Sequence, residues 1–200
     1  MSVSSTDPAL LRDMVRGAYS AAAERPKEKH AFPVGHEFAE SIGYPAELLD
    51  RLPSVACDAF AGVSNVPLFA ELPVGATVLD LGCGSGTDSL VAARRVGQAG
   101  KVIGVDFSTA MCSRARQAVV ESGATNVELR QADAEHLPIE DGEIDVAIVN
   151  GIFNLNPARE AIFRELARVI KASGKLFAAE LILRQPIPPE ARASETDWFA

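Results

Sequence analysis

The sequence predicts an α/β fold built on a doubly wound, mostly parallel sheet. Two observations predict it: after about residue 74, short apolar runs alternate with stretches of helical periodicity, and short turns join them. Short links between strands and helices favour right-handed crossovers and therefore parallel strands. Residues 1–73 contain no run typical of a strand, so we predict a helical lid over residues 1–73 and an α/β core over residues 74–200.

Proline residues divide the predicted lid into short helical stretches. The helical patterns cover residues 8–16, 45–52 and 64–72. Proline is tolerated in the first turn of a helix but interrupts its interior. We therefore expect several short helices in the lid.

Five apolar runs predict the strands of the core, at residues 76–82, 101–106, 126–133, 144–150 and 175–183. A helical pattern follows the first run, over residues 88–96. Ser108 is placed to cap a second helix, which we expect to end at Gly123. Asn156 and Pro157 predict the start of a third helix, which we expect Gly174 to end.

Composition and charge argue against several classes of protein. Hydrophobic residues make up 48% of the 200 residues, as in ordinary globular domains. The net charge of −8, without a basic patch, argues against a nucleic acid or an anionic membrane as partner. The sequence has no long apolar run or signal-peptide pattern, and its three cysteines lack metal-ligand spacing. We therefore expect a cytoplasmic protein without membrane insertion and without a metal.

The loop after the first predicted strand carries the densest chemical signal. Its sequence is Gly82-Cys83-Gly84-Ser85-Gly86. Glycine permits positive φ angles and lets a ligand approach the backbone closely. The helix that follows presents free N–H groups at the carboxyl edge of the sheet, where open α/β folds bind ligands. We therefore expect a nucleotide-like ligand to lie across this turn.

Spacing and charge restrict the kind of nucleotide. A dinucleotide-binding turn needs a small residue where this chain has Thr87, and the third glycine, Gly86, comes one position early. The loop region carries Asp80 and Asp88 but no lysine, whereas a P-loop needs lysine to balance phosphate charge. These features disfavour a nicotinamide oxidoreductase, which stays as an alternative, and they favour a cationic ligand.

Acidic residues lie in or at the ends of three consecutive predicted strands. Asp106 ends the second strand, where a carboxylate can accept hydrogen bonds from ribose hydroxyls. Asp133 ends the third, where it can accept from an adenine amine. Each has a structural alternative, because Asp106 could cap a helix and Asp133 could belong to a turn. Together with Asp80 at one crevice, they favour a ligand site.

Five segments resemble, in order and spacing, the motifs of class I S-adenosylmethionine-dependent methyltransferases. They are VLDLGCGSGTDSL, VIGVDFSTAMCSRAR, LRQADAEHLP, IDVAIVNGIFNL and ELARVIKASGKLFAAEL. The resemblance implies a Rossmann-like methyltransferase fold with strand order 3-2-1-4-5 and S-adenosyl-L-methionine as cofactor. It also implies two further strands, 6 and 7, which we expect to be missing here.

The resemblance also implies which residues bind the cofactor. Those implied at its methionine end are Asp80, Gly82, Gly84 and Gly86. Those implied at its adenosyl end are Asp106 on the ribose and Asp133, Ala134, Phe107 and Met111 at the adenine. The backbone of Asn150 is implied on the sulfonium side.

Within this class, the closer resemblance is to bacterial arsenite methyltransferases and the neighbouring quinone C-methyltransferases. It includes the lid segment 16–23 and the segment 152–157. The arsenite family holds trivalent arsenic with cysteine thiolates, which are soft ligands for a soft centre. Val63 and Gly151 stand at two of those cysteine positions, and Cys57 alone cannot replace a chelating set. We therefore expect a small-molecule acceptor other than arsenite.

Methyl transfer from a sulfonium depends chiefly on alignment and exclusion of water, and such positioning can contribute about 7–11 kcal/mol. Tyr19 in the lid and His136 beside the adenine-binding turn are candidate catalytic residues. Each has a structural alternative, Tyr19 as a core aromatic and His136 as part of a turn.

The alternative to a methyltransferase enzyme is a fragment or pseudoenzyme that binds S-adenosylmethionine without turnover.

The edge of the predicted strand 175–183 has no expected partner within the chain. An unpaired edge favours association with another strand. We therefore expect a second copy, in a homodimer, or chain not included here to cover it.

Overall fold

A five-stranded parallel sheet forms the centre of the computed structural model, which describes residues 8–182. The strands are β1 (Thr77–Leu81), β2 (Lys101–Asp106), β3 (Val127–Gln131), β4 (Ile144–Asn150) and β5 (Ile170–Ala179). Their order across the sheet is β3-β2-β1-β4-β5, and each neighbouring pair is parallel. The predicted fold class and strand order are confirmed.

Helices cover both faces of the sheet and form the lid. In chain order they are α1 (Pro8–Glu24), α2 (His36–Ser41), α3 (Ala46–Leu49), α4 (Ser54–Cys57), α5 (Val66–Phe69), α6 (Thr87–Val96), α7 (Thr109–Ser122) and α8 (Arg159–Val169). A short 3-10 helix, Phe153–Leu155, follows β4. Because both faces are covered, β1 and β4 consist largely of buried apolar residues, as their sequences predict.

Helix α7 begins and ends at the residues that the sequence predicts. The Ser108 hydroxyl accepts a hydrogen bond from the Met111 N–H at 3.3 Å, so it caps the first turn. Gly123 follows the last turn with a φ of +68°, a conformation that glycine adopts without steric cost. Both predicted boundaries of this helix are confirmed.

The predicted boundaries of α8 are wrong. The helix begins at Arg159, two residues after Pro157, and it ends at Val169, well before Gly174. Asn156 acts ahead of the helix, because its Oδ1 accepts from the Ala158 N–H at 2.7 Å. The turn at Asn156 and Pro157 therefore precedes the helix instead of opening it.

Strand β5 begins at Ile170 and so includes residues 170–174, which the sequence predicts as the end of α8. Its register against β4 is irregular: Ile144 pairs with Ile170, whereas Val146 pairs with Lys175. Gly174 lies in this irregular stretch, where a Cβ would be 2.9 Å from the Asp145 carbonyl oxygen. Glycine here allows close strand approach, so it does not mark the end of a helix. Residue 183 of the predicted strand lies outside the described residues.

The lid packs tightly on the core. Ala22 and Ala23 of α1 form an apolar cluster with Met111 of α7. From the same helix α7, the Arg114 guanidinium donates to the Val55 carbonyl at 3.0 Å and to the Ala23 carbonyl at 2.9 Å. The division of the chain at residue 73 stays a prediction, because lid and core share these contacts. No helix within residues 8–182 has the length and apolar character needed to cross a membrane.

Candidate active site

A cleft opens at the carboxyl edge of the sheet, beneath the lid. Its empty volume is about 1010 Å³, including the solvent at its mouth. Its walls come from the glycine loop after β1, the ends of β2 and β3, the segment after β4, and the lid. Ligands bind at this edge in open α/β folds, because the free helix N-termini and loops converge there.

The glycine loop exposes its backbone to this cleft. Gly82 and Gly84 line it, with φ angles of +77° and +53°. A Cβ on Gly84 would meet only Met111, whose Sδ is 3.9 Å away, so the loop is open at this point. Gly86 does not line the cleft. It precedes α6 with a φ of +91°, and a Cβ there would lie 3.2 Å from Ala115.

Asp106 lies at the end of β2 and lines the cleft with 8% of its surface exposed. Its carboxylate accepts from the Gly84 N–H at 2.9 Å and from the Ser108 N–H at 2.8 Å. Burial raises its pKa to about 6, and these backbone donors limit the rise. Asp106 therefore joins the glycine loop to the start of α7 while facing the cleft.

Asp80 lies behind the glycine loop and is not among the residues that line the cleft. It is 2% exposed, and its carboxylate accepts from the Ser89 hydroxyl at 2.6 Å. Burial, with a contribution from the charges of Asp88 and Asp106, raises its pKa well above the ordinary range. The resemblance implies Asp80 at the methionine end of the cofactor. In the structure, Asp80 instead supports the glycine loop from behind.

The residues predicted for the adenine side of the cofactor share one cleft. Phe107, Met111, Asp133 and Ala134 all line the cleft. The Arg16 guanidinium of α1 lies 5.2 Å from the centroid of the Phe107 ring and 3.6 Å from the Asp133 carboxylate. The lid helix therefore reaches over the predicted adenine position.

The two candidate catalytic residues lie in different surroundings. Tyr19 lines the cleft and stacks on Phe32, with ring centroids 4.5 Å apart. Burial and the nearby Asp106 charge raise the pKa of the Tyr19 phenol, so it is a neutral hydrogen-bonding group at neutral pH. His136 is exposed and is not among the residues that line the cleft. This position argues against His136 as a general base.

A buried polar network at the end of β4 was not expected from the sequence. Tyr44 of the lid donates its hydroxyl proton to Asp88 Oδ1, and the Asn150 amide donates to Asp88 Oδ2 at 2.9 Å. Asp88 is buried, which raises its pKa to about 6. Asp88 and Asn150 both line the cleft.

The segment after β4 meets the lid at an apolar contact. Gly151 has a φ of +81°, and a Cβ built on it would lie 3.0 Å from Val63 Cγ1. Phe60, Ile152 and Leu155 continue the apolar lining on this side. The three cysteines, Cys57, Cys83 and Cys112, are buried, and none of them forms a disulfide.

A family model described as a methyltransferase domain matches residues 73–199, which includes the whole sheet and the cleft loops. The chain belongs to the class I S-adenosylmethionine-dependent methyltransferases. S-adenosylmethionine is the cofactor of this family, so the expectation for family and cofactor is confirmed.

Methyltransferases of two named kinds are similar to the chain. An arsenite methyltransferase of Halobacterium salinarum is 38% identical over 156 residues, covering 77% of this chain and 39% of the relative. A demethylmenaquinone methyltransferase of Lactococcus lactis is 35% identical over 106 residues, covering 53% of this chain and 42% of the relative. The chain thus spans less than half of each of these relatives.

A solved methyltransferase structure shares the fold. It is an arsenic(III) S-adenosylmethionine methyltransferase from Chlamydomonas reinhardtii, with a TM-score of 0.61 and 28% identity. The match covers 80% of this chain and 54% of the solved chain. It therefore extends beyond the α/β core into the lid.

Proposed function

We propose that this chain binds S-adenosylmethionine in the cleft and transfers its methyl group to a small, uncharged acceptor. The observation that carries the proposal is the pairing of an open glycine backbone at Gly84 with the buried carboxylate of Asp106. A bare backbone admits a ligand closely, and a carboxylate accepts from a pair of ribose hydroxyls.

The residues around the cleft fit this cofactor. Asp106 would accept from the ribose, and Asp133 with the backbone of Ala134 would contact the adenine between Phe107 and Met111. Gly82 and Gly84 would border the methionine end. Asp88 and Asp106 are buried in this wall with pKa values of about 6, so they are largely ionised at neutral pH and favour a ligand with positive charge.

The chemistry of the bound cofactor is an electrophilic methyl group on a positively charged sulfur. The protein's part is to align an acceptor and to exclude water, and such positioning can contribute about 7–11 kcal/mol. The lid would supply this exclusion, because residues of α1 and residues 59–62 both line the cleft. Tyr19 would act as a neutral hydrogen-bond donor in this wall.

The acceptor end supports a substrate other than arsenite. Val63 and Gly151, the positions at which the resemblance implies cysteines in arsenite methyltransferases, lie next to each other: a Cβ built on Gly151 would be 3.0 Å from Val63 Cγ1. Burial raises the pKa of the Cys57 thiol to about 11, so this thiol is not a ready thiolate ligand. Within residues 8–182, no three His, Cys, Asp or Glu side chains are grouped to hold a metal ion.

Calorimetry with S-adenosylhomocysteine tests the cofactor part of the proposal. We expect binding by the wild-type chain, and Asp106→Asn to weaken it about tenfold or more through lost charge-assisted hydrogen bonds. Asp50→Asn, at an exposed lid residue, is the matched control and should leave affinity unchanged. Binding of NADH without a response to S-adenosylhomocysteine would contradict the proposal.

Turnover tests the acceptor part. S-adenosylhomocysteine production is measured with S-adenosylmethionine and a panel containing arsenite, quinones, phenols and thiols. We expect turnover with an uncharged organic acceptor and none with arsenite. Cofactor binding without turnover across the panel would instead favour a binding protein or a domain that needs further chain.

A further inference from the structure

One side chain, that of Asn150, holds a whole segment of the lid. Its Oδ1 accepts from the Val63 N–H at 2.8 Å and the Ser64 N–H at 3.1 Å. Its Nδ2 donates to the Ser64 carbonyl at 2.7 Å and to Asp88 Oδ2 at 2.9 Å. A primary amide has two donor and two acceptor positions, so Asn150 is fully used.

Asp88 determines which way this amide points. An ionised carboxylate only accepts hydrogen bonds, so Asp88 requires the Nδ2 side of Asn150 to face it. The Oδ1 side must then face the two lid N–H groups. Tyr44, which is 2% exposed, donates to the other carboxylate oxygen and fixes Asp88 in turn.

The lid backbone at Gly62 packs directly against the Asn150 amide. A Cβ on Gly62 would lie 2.4 Å from Asn150 Nδ2, so the lid approaches the amide at a distance that only glycine permits. The segment that Asn150 holds, residues 62–65, includes Val63, which packs against Gly151. Gly62 of this segment lines the cleft beside Asn150 of β4, whereas Phe107 and Asp133 line it after β2 and β3, on the other side of β1.

We propose that Asn150 is a positioning residue: its side-chain amide, oriented by Asp88 and Tyr44, fixes residues 62–65 at the acceptor end of the cleft. The inference rests on the proposed function for its account of which end receives the acceptor. The residues predicted for the adenosyl end lie elsewhere, and a change of the Asn150 side chain keeps its backbone, so loss of the network changes acceptor use while donor affinity persists.

Hydrogen exchange of the 62–65 backbone, with S-adenosylhomocysteine affinity measured in parallel, tests this role. In Asn150→Leu, we expect exchange at Val63 and Ser64 to accelerate about tenfold or more, since both amides lose their acceptor. The Kd for S-adenosylhomocysteine should change less than threefold. Asn126→Leu is the matched control, because Asn126 also donates to backbone carbonyls but at Ala93 and Gly97.

A rescue variant separates orientation from simple packing. Asn150→Asp places two carboxylates at one contact and should open the segment. Adding Asp88→Asn returns a donor to that contact but not to the Ser64 carbonyl, so the double variant should recover part of the protection. If Asn150→Leu does not fold, Tyr44→Phe removes only the outer hydroxyl and should produce a smaller acceleration of the same amides.

The acceptor readout completes the test. With the panel acceptor that supports turnover, the variants should raise KM for that acceptor more than they lower kcat, while KM for S-adenosylmethionine stays near the wild-type value. Unchanged exchange in Asn150→Leu, or a parallel loss of S-adenosylhomocysteine affinity, would overturn the inference alone. A wild-type chain that does not bind S-adenosylhomocysteine would overturn the proposed function and the positioning role together.

Discussion

Gly82 and Ile152 bring two loops of the cleft into direct contact. A Cβ built on Gly82 would lie 2.4 Å from Ile152 Cγ2, far inside normal contact distance. Gly82 follows β1 and Ile152 follows β4, and these strands are neighbours in the sheet. The loop after β1 can therefore take its position only if residue 82 has no side chain.

Gly82→Ala should consequently destabilise the protein through two additive effects. The φ of +77° opposes any side chain by about 1 kcal/mol, and the contact with Ile152 adds about 1–3 kcal/mol of overpacking. Urea unfolding measures the sum. Gly75→Ala is the matched control, because Gly75 has a φ of +84° but nothing within 4 Å of a built Cβ. Equal losses of unfolding free energy in the two variants would show that the Ile152 side chain moves aside at no energetic cost.

The fold was largely predictable because its sheet is covered on both faces. In such a sheet the central strands are continuous apolar runs, and the predicted bounds of β2 and β4 match the structure. The largest error falls at the end of α8 and the start of β5, where Gly174 suits an irregular strand register instead of a helix end. That choice depends on the backbone of Asp145 in a neighbouring strand, which local sequence does not show.

The site was predictable only where it follows strand ends. Asp106 is the last residue of β2 and Asp133 follows β3 by two residues, so the sequence places both at the same edge of the sheet, and both line the cleft. The hydrogen bonds from Tyr44 and Asn150 to Asp88 join residues 44 and 62 positions apart. No periodicity links such positions, so the network becomes visible only when the lid is folded onto the sheet.

Ser89→Ala tests the support beneath the glycine loop. Ser89 donates the 2.6 Å hydrogen bond to Asp80, a carboxylate that is 2% exposed. Loss of this donor leaves a buried group unsatisfied, so we expect a loss of about 1–3 kcal/mol in the free energy of unfolding. Ser41→Ala, which removes an exposed bond to a backbone carbonyl, should change stability much less. A negligible effect of Ser89→Ala would mean that Asp80 finds another donor.

Cofactor affinity should depend on pH through Asp106. Its pKa is raised to about 6, so the carboxylate that accepts from Gly84 and Ser108 is protonated as the pH falls. If the ionised form binds, affinity for S-adenosylhomocysteine should fall about tenfold between about pH 7 and about pH 5. Calorimetry across this range measures the profile. Asp106→Asn should abolish this fall in affinity with pH, whereas Asp88→Asn should retain it.

Stability should change in the opposite direction over part of that range, which separates lost affinity from unfolding. Asp106 binds protons more readily in the folded state, where its pKa is about 6, than at its ordinary value of 3.8. Between these values the native state holds more protons than the unfolded state, so its contribution to the free energy of unfolding rises as the pH falls. A parallel loss of stability and affinity below about pH 6 would contradict this assignment.

Arg12 should control how long the lid stays closed over a bound ligand. It lies on α1 and pairs with Glu135, whose side chain is only 10% exposed and also accepts from the Asn156 amide at 3.0 Å. Arg16, one turn later, pairs with the half-exposed Asp133 at 3.6 Å. The Arg12 pair is less exposed than the Arg16 pair on both sides, so solvent screens it less and the two arginines should contribute unequally. Arg12→Met should increase the dissociation rate of S-adenosylhomocysteine about threefold to tenfold, measured by stopped-flow displacement, while Arg16→Met should change it less. A larger effect of Arg16→Met would show instead that its position over Phe107 determines the residence of the ligand.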